Sequence, residues 1–166
     1  MIQKKICLLG GFAVGKTSLV RRFVTGRFSE TYQTTIGVTI EKKSLEAAGQ
    51  HVDLLIWDLY GEDEFQSIRE SYLRGSSGYI LVVDGTRRAT LDTAESLQHM
   101  AASALGPVPF FLIVNKLDLR SEWEVDEDTL SRLRRQGWLI LLSSAKTGQG
   151  VEELFTQLAS KMVPAA

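Results

Sequence analysis

The sequence predicts an α/β fold in which a mostly parallel sheet carries helices on both faces. Short apolar runs alternate along the chain with segments whose apolar residues recur every three or four positions. The runs are apolar at successive positions, which is typical of parallel strands that are covered on both faces. The predicted strands of this kind are residues 6–9, 52–57, 79–83, 110–114 and 138–142.

Helical periodicity is clearest in three segments between and after these strands. In each segment the apolar residues fall on one stripe, which predicts a helix packed against the sheet. The stripes are Leu19, Val20, Phe23 and Val24; Leu91, Ala94, Leu97, Ala101 and Leu105; and Val151, Leu154, Phe155, Leu158 and Met162.

One pair of strands breaks the alternation of strand and helix. Residues 38–45 and 51–57 are joined by residues 46–50, a connection too short to contain a crossover helix. Antiparallel strands can be joined by such a short loop, whereas parallel strands cannot. The sequence therefore predicts one antiparallel hairpin in an otherwise parallel sheet.

Length and composition are those of an ordinary globular domain. The chain has 166 residues, of which 44% are hydrophobic and 23% charged, with 3 prolines. These values exclude collagen-like, disulfide-rich and wholly disordered classes of protein. Because no repeat or linker interrupts the pattern, we expect one domain over residues 1–166.

Charge and cysteine content limit the partners and the compartment. A formal net charge of -1 favours neither nucleic acid nor an anionic membrane as a partner. The single Cys7 lies in an apolar run, so we expect a core residue in a reducing compartment. No apolar stretch approaches the roughly 20 residues of a membrane span. These observations predict a cytoplasmic protein.

A glycine-rich segment follows the first predicted strand directly. Its last residues are Gly15-Lys16-Thr17, and the spacing matches the phosphate-binding P-loop. We expect the Lys16 ammonium to reach the β- and γ-phosphates of a nucleotide and the Thr17 hydroxyl to bind Mg²⁺. The alternative is a glycine turn with a solvated lysine, but the strand before it and the helix after it favour the P-loop. The predicted phosphate-binding residues are Gly11, Phe12, Ala13, Val14, Gly15, Lys16, Thr17 and Ser18.

A carboxylate is predicted beside this loop. Asp58-Leu59-Tyr60-Gly61 follows the predicted strand 52–57. In doubly wound sheets, ligands bind at the carboxyl ends of the strands, so Asp58 is expected to hold Mg²⁺ through water. Taken alone, an Asp-x-x-Gly segment is a common turn.

Two further strand ends carry polar residues that suit a purine base. Asn115-Lys116-Leu117-Asp118 follows one strand, and Ser143-Ser144-Ala145-Lys146 follows the next. The Asp118 carboxylate can accept two parallel hydrogen bonds from guanine, whereas adenine lacks that donor pair. We expect Asn115 to join the loops, Lys116 to cover the base and the Ala145 N–H to donate to O6. Each segment alone could be a polar turn. The predicted base-side residues are Asn115, Lys116, Asp118, Ser144, Ala145 and Lys146.

Together these motifs resemble the Ras-superfamily small GTPases, and the resemblance extends over essentially the whole chain. Thr34-Thr35-Ile36-Gly37-Val38 and Ile56-Trp57-Asp58 are most similar to the Rab-type pattern. The resemblance implies a P-loop NTPase G domain with a six-stranded mixed sheet, one strand antiparallel, and five helices. It also implies a molecular switch that cycles between GTP and GDP with Mg²⁺.

The resemblance adds three site residues to those already named. Phe28 matches the aromatic that packs on guanine, although a core contact would also explain it. Thr35 matches the switch I threonine that binds Mg²⁺ and the γ-phosphate, and Gly61 matches the glycine whose N–H contacts the γ-phosphate. The implied metal ligands are then Thr17, Thr35 and Asp58, and the implied catalytic residues are Lys16, Gly61 and Glu62.

Three residues depart from the family pattern near the reaction centre. Glu62 stands where the family usually has glutamine, and a carboxylate cannot donate to the γ-phosphate. Phe12 occupies a position next to that of an incoming arginine finger, and Tyr60 replaces an alanine. These departures are either neutral drift or signs of a changed function. In the second case the protein hydrolyses GTP slowly, or it is a constitutive nucleotide-binding adaptor. An ATP-dependent kinase is disfavoured by Asp118.

Partners are implied by the resemblance. We expect a monomer that meets effectors, an exchange factor and an activating protein through switches I and II. Ile40, Trp57, Phe65, Ile68 and Tyr72 are candidates for an apolar partner surface, with core packing as the alternative. No lipid anchor is predicted, because residue 2 is not glycine and residues 161–166 contain no cysteine. Either the protein is soluble, as bacterial relatives of the family are, or the sequence stops before a variable tail.

Overall fold

The computed structural model describes residues 2–26, 37–60 and 70–164, and these form a six-stranded sheet with helices on both faces. The elements are β1 (Ile2–Gly10), α1 (Lys16–Thr25), β2 (Gly37–Ala47), β3 (Gln50–Tyr60), α2 (Glu70–Leu73), β4 (Ser76–Asp84), α3 (Ala89–Leu105), β5 (Phe110–Asn115), a 3-10 helix (Leu117–Glu122), α4 (Glu127–Arg135), β6 (Leu139–Leu142) and α5 (Val151–Met162).

The sheet has the strand order β2-β3-β1-β4-β5-β6. Strand β1 pairs in parallel with β3 and β4, and the parallel arrangement continues through β5 to β6. Strands β2 and β3 pair antiparallel. The predicted six-stranded mixed sheet with one antiparallel hairpin is therefore confirmed, and the described residues include five α-helices.

The predicted hairpin connection was too long. Strand pairing continues to Ala47 opposite Gln50, so a two-residue turn of Ala48 and Gly49 joins the strands. Both turn residues have positive φ angles, 52° and 76°. Tight hairpins need this backbone because it matches the twist of the paired strands. Polar residues 46 and 50 were assigned to the loop, but they take part in the ladder.

The strands are generally longer than predicted: β1 and β4 extend beyond residues 6–9 and 79–83 at both ends, and the bounds of β3 and β6 also differ. Strand β3 continues to Tyr60 because it pairs with β2 along its whole length, so Asp58 lies within the strand and not after it. Strand β6 begins at Leu139 and not at residue 138. The Trp138 N–H donates to the Leu133 carbonyl at 3.1 Å, which places Trp138 in the turn after α4.

Each face of the sheet carries its own apolar core. On one face α1 and α5 meet, and the rings of Phe23 and Phe155 stack with centroids 4.1 Å apart. On the other face α3 and α4 cover the sheet, with Leu91 and Leu130 fully buried. The three predicted stripes are confirmed, because all their residues are buried except the half-buried Val24 and Leu105.

Helix α4 was missed in the sequence analysis, although the sequence carries a signal for it. The Asp126 carboxylate accepts from the Thr129 N–H at 2.8 Å and caps the helix. Leu130 and Leu133 then follow at helical spacing and are buried. An Asp three residues before a Thr, followed by this apolar pair, predicts a helix start.

The parallel strands bring their carboxyl ends to one edge of the sheet. Gly10, Asp58, Asp84 and Asn115 lie at or near the ends of β1, β3, β4 and β5, and Ser143 follows β6. This edge is where the sequence analysis placed the ligand. Within the three described ranges, we find no helix with the length and apolar character needed to cross a bilayer.

Candidate functional site

The loop between β1 and α1 is wound tightly at its base. Ala13 and Gly15 have positive φ angles of 57° and 100°. A Cβ at Gly15 would overlap the Asn115 amide, and one at Gly10 would lie 2.6 Å from the Val82 carbonyl oxygen. These glycines therefore let the chain turn closely against its neighbours, as a phosphate-binding loop requires.

Lys16 is the first residue of α1, and its ammonium turns back over the loop. The residue is 8% exposed, and Nζ donates to the Gly10 carbonyl at 3.1 Å. A contact of 3.5 Å to the Gly11 carbonyl is weaker. The loop therefore holds a buried positive charge at the start of a helix, where the helix dipole also favours an anion.

The predicted metal side contains one hydroxyl and one buried carboxylate. Thr17 Oγ1 donates to Asp58 Oδ2 at 2.6 Å. Asp58 is 1% exposed, and its Oδ1 has no hydrogen-bond partner in the part of the chain that the structure describes. Burial raises the pKa of Asp58, while the Thr17 hydroxyl and the Lys16 charge act in the opposite direction. A buried carboxylate with an unpaired oxygen beside a hydroxyl suits a cation such as Mg²⁺.

Among the described residues, Asp58 is not part of a larger cluster of metal-binding side chains. Across residues 2–26, 37–60 and 70–164, no three His, Cys, Asp or Glu side chains are grouped so that they could hold a metal. The fit to Mg²⁺ rests on the Thr17 and Asp58 oxygens alone.

The Asn115 side chain joins the two sides of the site. Its Nδ2 donates to the Val14 carbonyl in the loop at 3.0 Å. Its Oδ1 accepts from Ser143 Oγ and from the Ala145 N–H, both at 3.2 Å. One amide thus links the phosphate loop to the segment after β6, which is the joining role that the sequence suggested.

The residues expected to recognise the base lie next to this amide. Ser144 Oγ donates to Asp118 Oδ1 at 2.7 Å, and Ser144 is buried while Asp118 and Lys146 are exposed. The Ala145 N–H, expected to donate to guanine O6, donates to Asn115 in this structure. Hydrogen bonds within the chain therefore hold the base-side loops together.

Comparisons with known proteins agree with this geometry. The family model described as "Ras family" matches residues 5–164. The chain belongs to the Ras family. It is 35% identical over 165 residues to Ras-related protein Rab-19 of Homo sapiens, covering 96% of this chain and 75% of that protein. It is 37% identical over 153 residues to Ras-related protein Rab-4 of Dictyostelium discoideum, covering 91% and 75%. With Ras-related protein Rab-13 of Rattus norvegicus the identity is 32% over 157 residues, covering 93% and 77%.

Membership of the Ras family identifies the chain as a Rab-like, GTP-binding switch GTPase. It accounts for the P-loop and for the polar residues at the later strand ends. It also means that guanine nucleotides and regulatory or effector proteins are the partners of the chain.

Several site residues predicted from the Ras-family resemblance lie outside the described residues. These are Phe28, Thr35, Gly61 and Glu62, together with Phe65 and Ile68 of the predicted partner surface. Of that surface, Ile40 is 51% exposed, and Trp57 and Tyr72 are half-buried. The P-loop residue Phe12 is 53% exposed.

A cluster of three charged side chains, Asp84, Arg87 and Lys116, was not predicted from the sequence. Asp84 is 1% exposed, and its Oδ2 pairs with Arg87 Nε and with Lys116 Nζ, each at 2.9 Å. Arg87 Nη2 also donates to the Phe12 carbonyl at 2.6 Å. The sequence did contain a signal for Asp84, because it directly follows the apolar run 79–83, just as Asp58 follows the apolar run 52–57.

The contacts of Trp123 beside the site were also not predicted from the sequence. Trp123 Nε1 donates to the Lys116 carbonyl at 2.9 Å. Its indole fills the space beside Gly85, where a Cβ would overlap the ring. No sequence signal points to this contact, because the three residues come from two separate loops.

Proposed function

We propose that this chain is a single G domain, acting as a monomer, that binds GTP and GDP with Mg²⁺ and hydrolyses GTP slowly. The observation that carries the proposal is the buried Asp58 carboxylate, with one oxygen bonded to Thr17 and the other unpaired among the described residues. Bound Mg²⁺ would supply positive charge to the β- and γ-phosphates. Thr17 and Asp58 would hold it, joined by Thr35 in the GTP state.

The remaining residues bind and orient the nucleotide. The Lys16 ammonium, now bonded to the Gly10 carbonyl, exchanges that partner for phosphate oxygens. The Asp118 carboxylate accepts hydrogen bonds from the two guanine donors. Its Oδ1 also accepts from Ser144 Oγ at 2.7 Å, which orients the carboxylate. Lys116, Ala145 and the aromatic Phe28 enclose the base.

Hydrolysis is assigned to the residues around Gly61. Water attacks the γ-phosphorus, the bond to the β–γ bridging oxygen breaks, and GDP and phosphate leave. Glu62 orients this water as an acceptor, while Gly61 and Lys16 stabilise the γ-phosphate. The Glu62 charge opposes the negative charge of the transition state, so turnover is slow until an activating protein supplies a donor.

A single-turnover assay tests the hydrolytic part of the proposal. The parent chain should hydrolyse bound GTP slowly, and Glu62→Gln should be about tenfold faster because it removes repulsion worth about 1.4 kcal/mol. Glu62→Ala is the matched control, since it removes the charge without adding a donor. Equal rates in all three proteins would exclude Glu62 from the reaction.

A guanine-specificity assay tests the binding part separately. Asp118→Asn should weaken GDP binding and improve binding of xanthosine diphosphate, because the 2-oxo group of xanthine accepts a hydrogen bond where the guanine amine donates one. An unchanged GDP affinity with no gain for the xanthine nucleotide would contradict the role of Asp118.

A constitutive adaptor is the second candidate function. It is favoured by Phe12, whose half-exposed side chain stands on the P-loop. Such an adaptor would bind guanine nucleotides, turn over negligibly and keep one switch surface. Hydrogen exchange of residues 28–38 and 60–72 distinguishes the two functions: a switch changes protection between GDP and a non-hydrolysable GTP analogue, and an adaptor does not.

A further inference from the structure

The turn after β4 holds a carboxylate whose two oxygens are both occupied. Asp84 Oδ1 accepts from the Thr86 N–H at 2.9 Å and from Thr86 Oγ1 at 2.7 Å. Asp84 Oδ2 pairs with Arg87 Nε and Lys116 Nζ. The carboxylate is buried, so these partners fix the orientation of both cationic side chains.

Both cations reach from this carboxylate to the P-loop. Arg87 Nη2 donates to the Phe12 carbonyl at 2.6 Å, and Lys116 Nζ donates to the Ala13 carbonyl at 3.2 Å. The next carbonyl, that of Val14, accepts from the Asn115 amide at 3.0 Å. Three consecutive carbonyls of the loop are therefore held by side chains from other parts of the chain.

Peptide geometry turns these contacts into a constraint on the opposite side of the loop. A trans peptide unit is planar, so the N–H of each residue points away from the preceding carbonyl. Fixing the carbonyls of residues 12, 13 and 14 fixes the N–H groups of Ala13, Val14 and Gly15 in the opposite direction. Successive N–H groups oriented in this way form a concave site for an anion.

We propose that Arg87 is a positioning residue for nucleotide binding: paired with Asp84, it holds the Phe12 carbonyl and so orients the Ala13 N–H for the β-phosphate. Lys116 and Asn115 orient the next two peptides, and both belong to the predicted base-side motif. Arg87 completes the series from outside that motif. This inference rests on the proposed binding of guanine nucleotides.

The proposed role requires two different nitrogens of the Arg87 guanidinium. Nε contacts Asp84 and Nη2 contacts Phe12, so the planar group bridges the two. A lysine has a single nitrogen on a flexible stem and cannot reproduce the bridge. Arg87→Lys therefore separates the effect of the charge from that of the bridge.

The experiment measures release of a fluorescent GDP, and the affinities for GDP and GMP, in Arg87→Met and Arg87→Lys. GDP release should accelerate about fivefold in Arg87→Met, since a half-exposed hydrogen bond to a charged group is lost. The ratio of the GMP and GDP dissociation constants should fall by the same factor, because GMP lacks the β-phosphate. Arg87→Lys should show most of this effect.

Arg132→Met is the matched control. Arg132 pairs with Glu95 at 3.6 Å, and its side chain is 45% exposed against 43% for Arg87. It lies on α4, and its replacement should leave GDP release and the GMP-to-GDP ratio unchanged.

Three results would overturn the inference. The first is parental GDP release in Arg87→Met, or in Arg87→Lys if the methionine variant does not fold. The second is an equal loss of GMP and GDP affinity, which would indicate a general structural role. The third is a parent chain that binds no guanine nucleotide, which would overturn the proposed function as well; the first two leave that function intact.

Discussion

Asp58 and Asp84 are buried carboxylates near the ends of the two strands that flank β1, and the chain supplies them with very different numbers of polar partners. Asp58 on β3 and Asp84 on β4 are each 1% exposed. Asp58 accepts from the Thr17 hydroxyl and keeps one oxygen unpaired among the described residues. Asp84 is paired with Thr86, Arg87 and Lys116. The chain itself neutralises the second carboxylate, whereas the first is suited to a cation that arrives with the nucleotide.

The pKa values of the two groups follow from this difference. Burial raises the pKa of Asp58 above its ordinary value of 3.8, because one hydroxyl and the Lys16 charge do not compensate for it. Burial also acts to raise the pKa of Asp84, but the hydrogen bonds from Lys116, Thr86 and Arg87 outweigh it and the pKa is lowered. Ionised Asp58 therefore destabilises the ligand-free fold, and ionised Asp84 stabilises it.

The largest expected effect comes from removing the cation beside Asp58. Lys16→Ala should weaken binding of both GDP and GTP about a hundredfold, or about 2.7 kcal/mol, since charge-assisted contacts to phosphate are lost. Titration with a fluorescent GDP measures this change. Lys161→Ala, on the exposed side of α5, is the control and should bind like the parent. Parental affinity in Lys16→Ala would mean that the ammonium stays on the loop carbonyls when nucleotide binds.

The next largest effect should come from removing the negative charge of Asp84. Asp84→Asn leaves Arg87 and Lys116 without their shared counter-charge and should lower the free energy of unfolding by about 2 kcal/mol. The cost is below that of a fully buried pair, because the two cations are 43% and 25% exposed. Urea unfolding at neutral pH without nucleotide measures it. The exposed Asp92→Asn should change the value by less than about 0.5 kcal/mol, and an equal loss in both variants would contradict the pairing.

The smallest effect is a change in the pH dependence of stability at Asp58. A raised pKa means that the folded chain binds more protons than the unfolded chain, so stability falls as pH rises from about 3.8 to the raised value. Asp58→Asn should flatten that fall in the nucleotide-free protein, and chelation of Mg²⁺ should no longer accelerate its GDP release. Unfolding curves from pH 4 to 7 measure the first effect. A slope equal to that of the parent would show that Asp58 carries no penalty.

Asp84 should behave with the opposite sign over acidic pH. Its lowered pKa stabilises the fold above 3.8, and this contribution is lost as pH falls toward the lowered value. Unfolding curves extended below pH 4 should therefore show a loss of stability in acid that Asp84→Asn removes. The two variants together separate the two carboxylates.

Local sequence was sufficient for the elements and motifs whose residues are close in the chain. The stripe of α5 is set by helical periodicity, and all its predicted members are buried. Gly15, Lys16 and Thr17 are consecutive, so their spacing alone predicts a loop that opens a helix. The length of the hairpin loop was not predicted correctly from the sequence, since it depends on how far the strand pairing between β2 and β3 continues.

What the sequence determined by itself is the inventory of the site: a P-loop, a carboxylate near the end of β3 and the polar residues after β5 and β6. Each follows from residue types at fixed spacing next to an apolar strand. Only the tertiary structure decided how these parts contact one another. Arg87 meets the Phe12 carbonyl across 75 positions of sequence, and Asn115 meets that of Val14 across 101. Such contacts depend on β4 and β5 lying in order beside β1, and periodicity along the chain specifies a strand but not its neighbours.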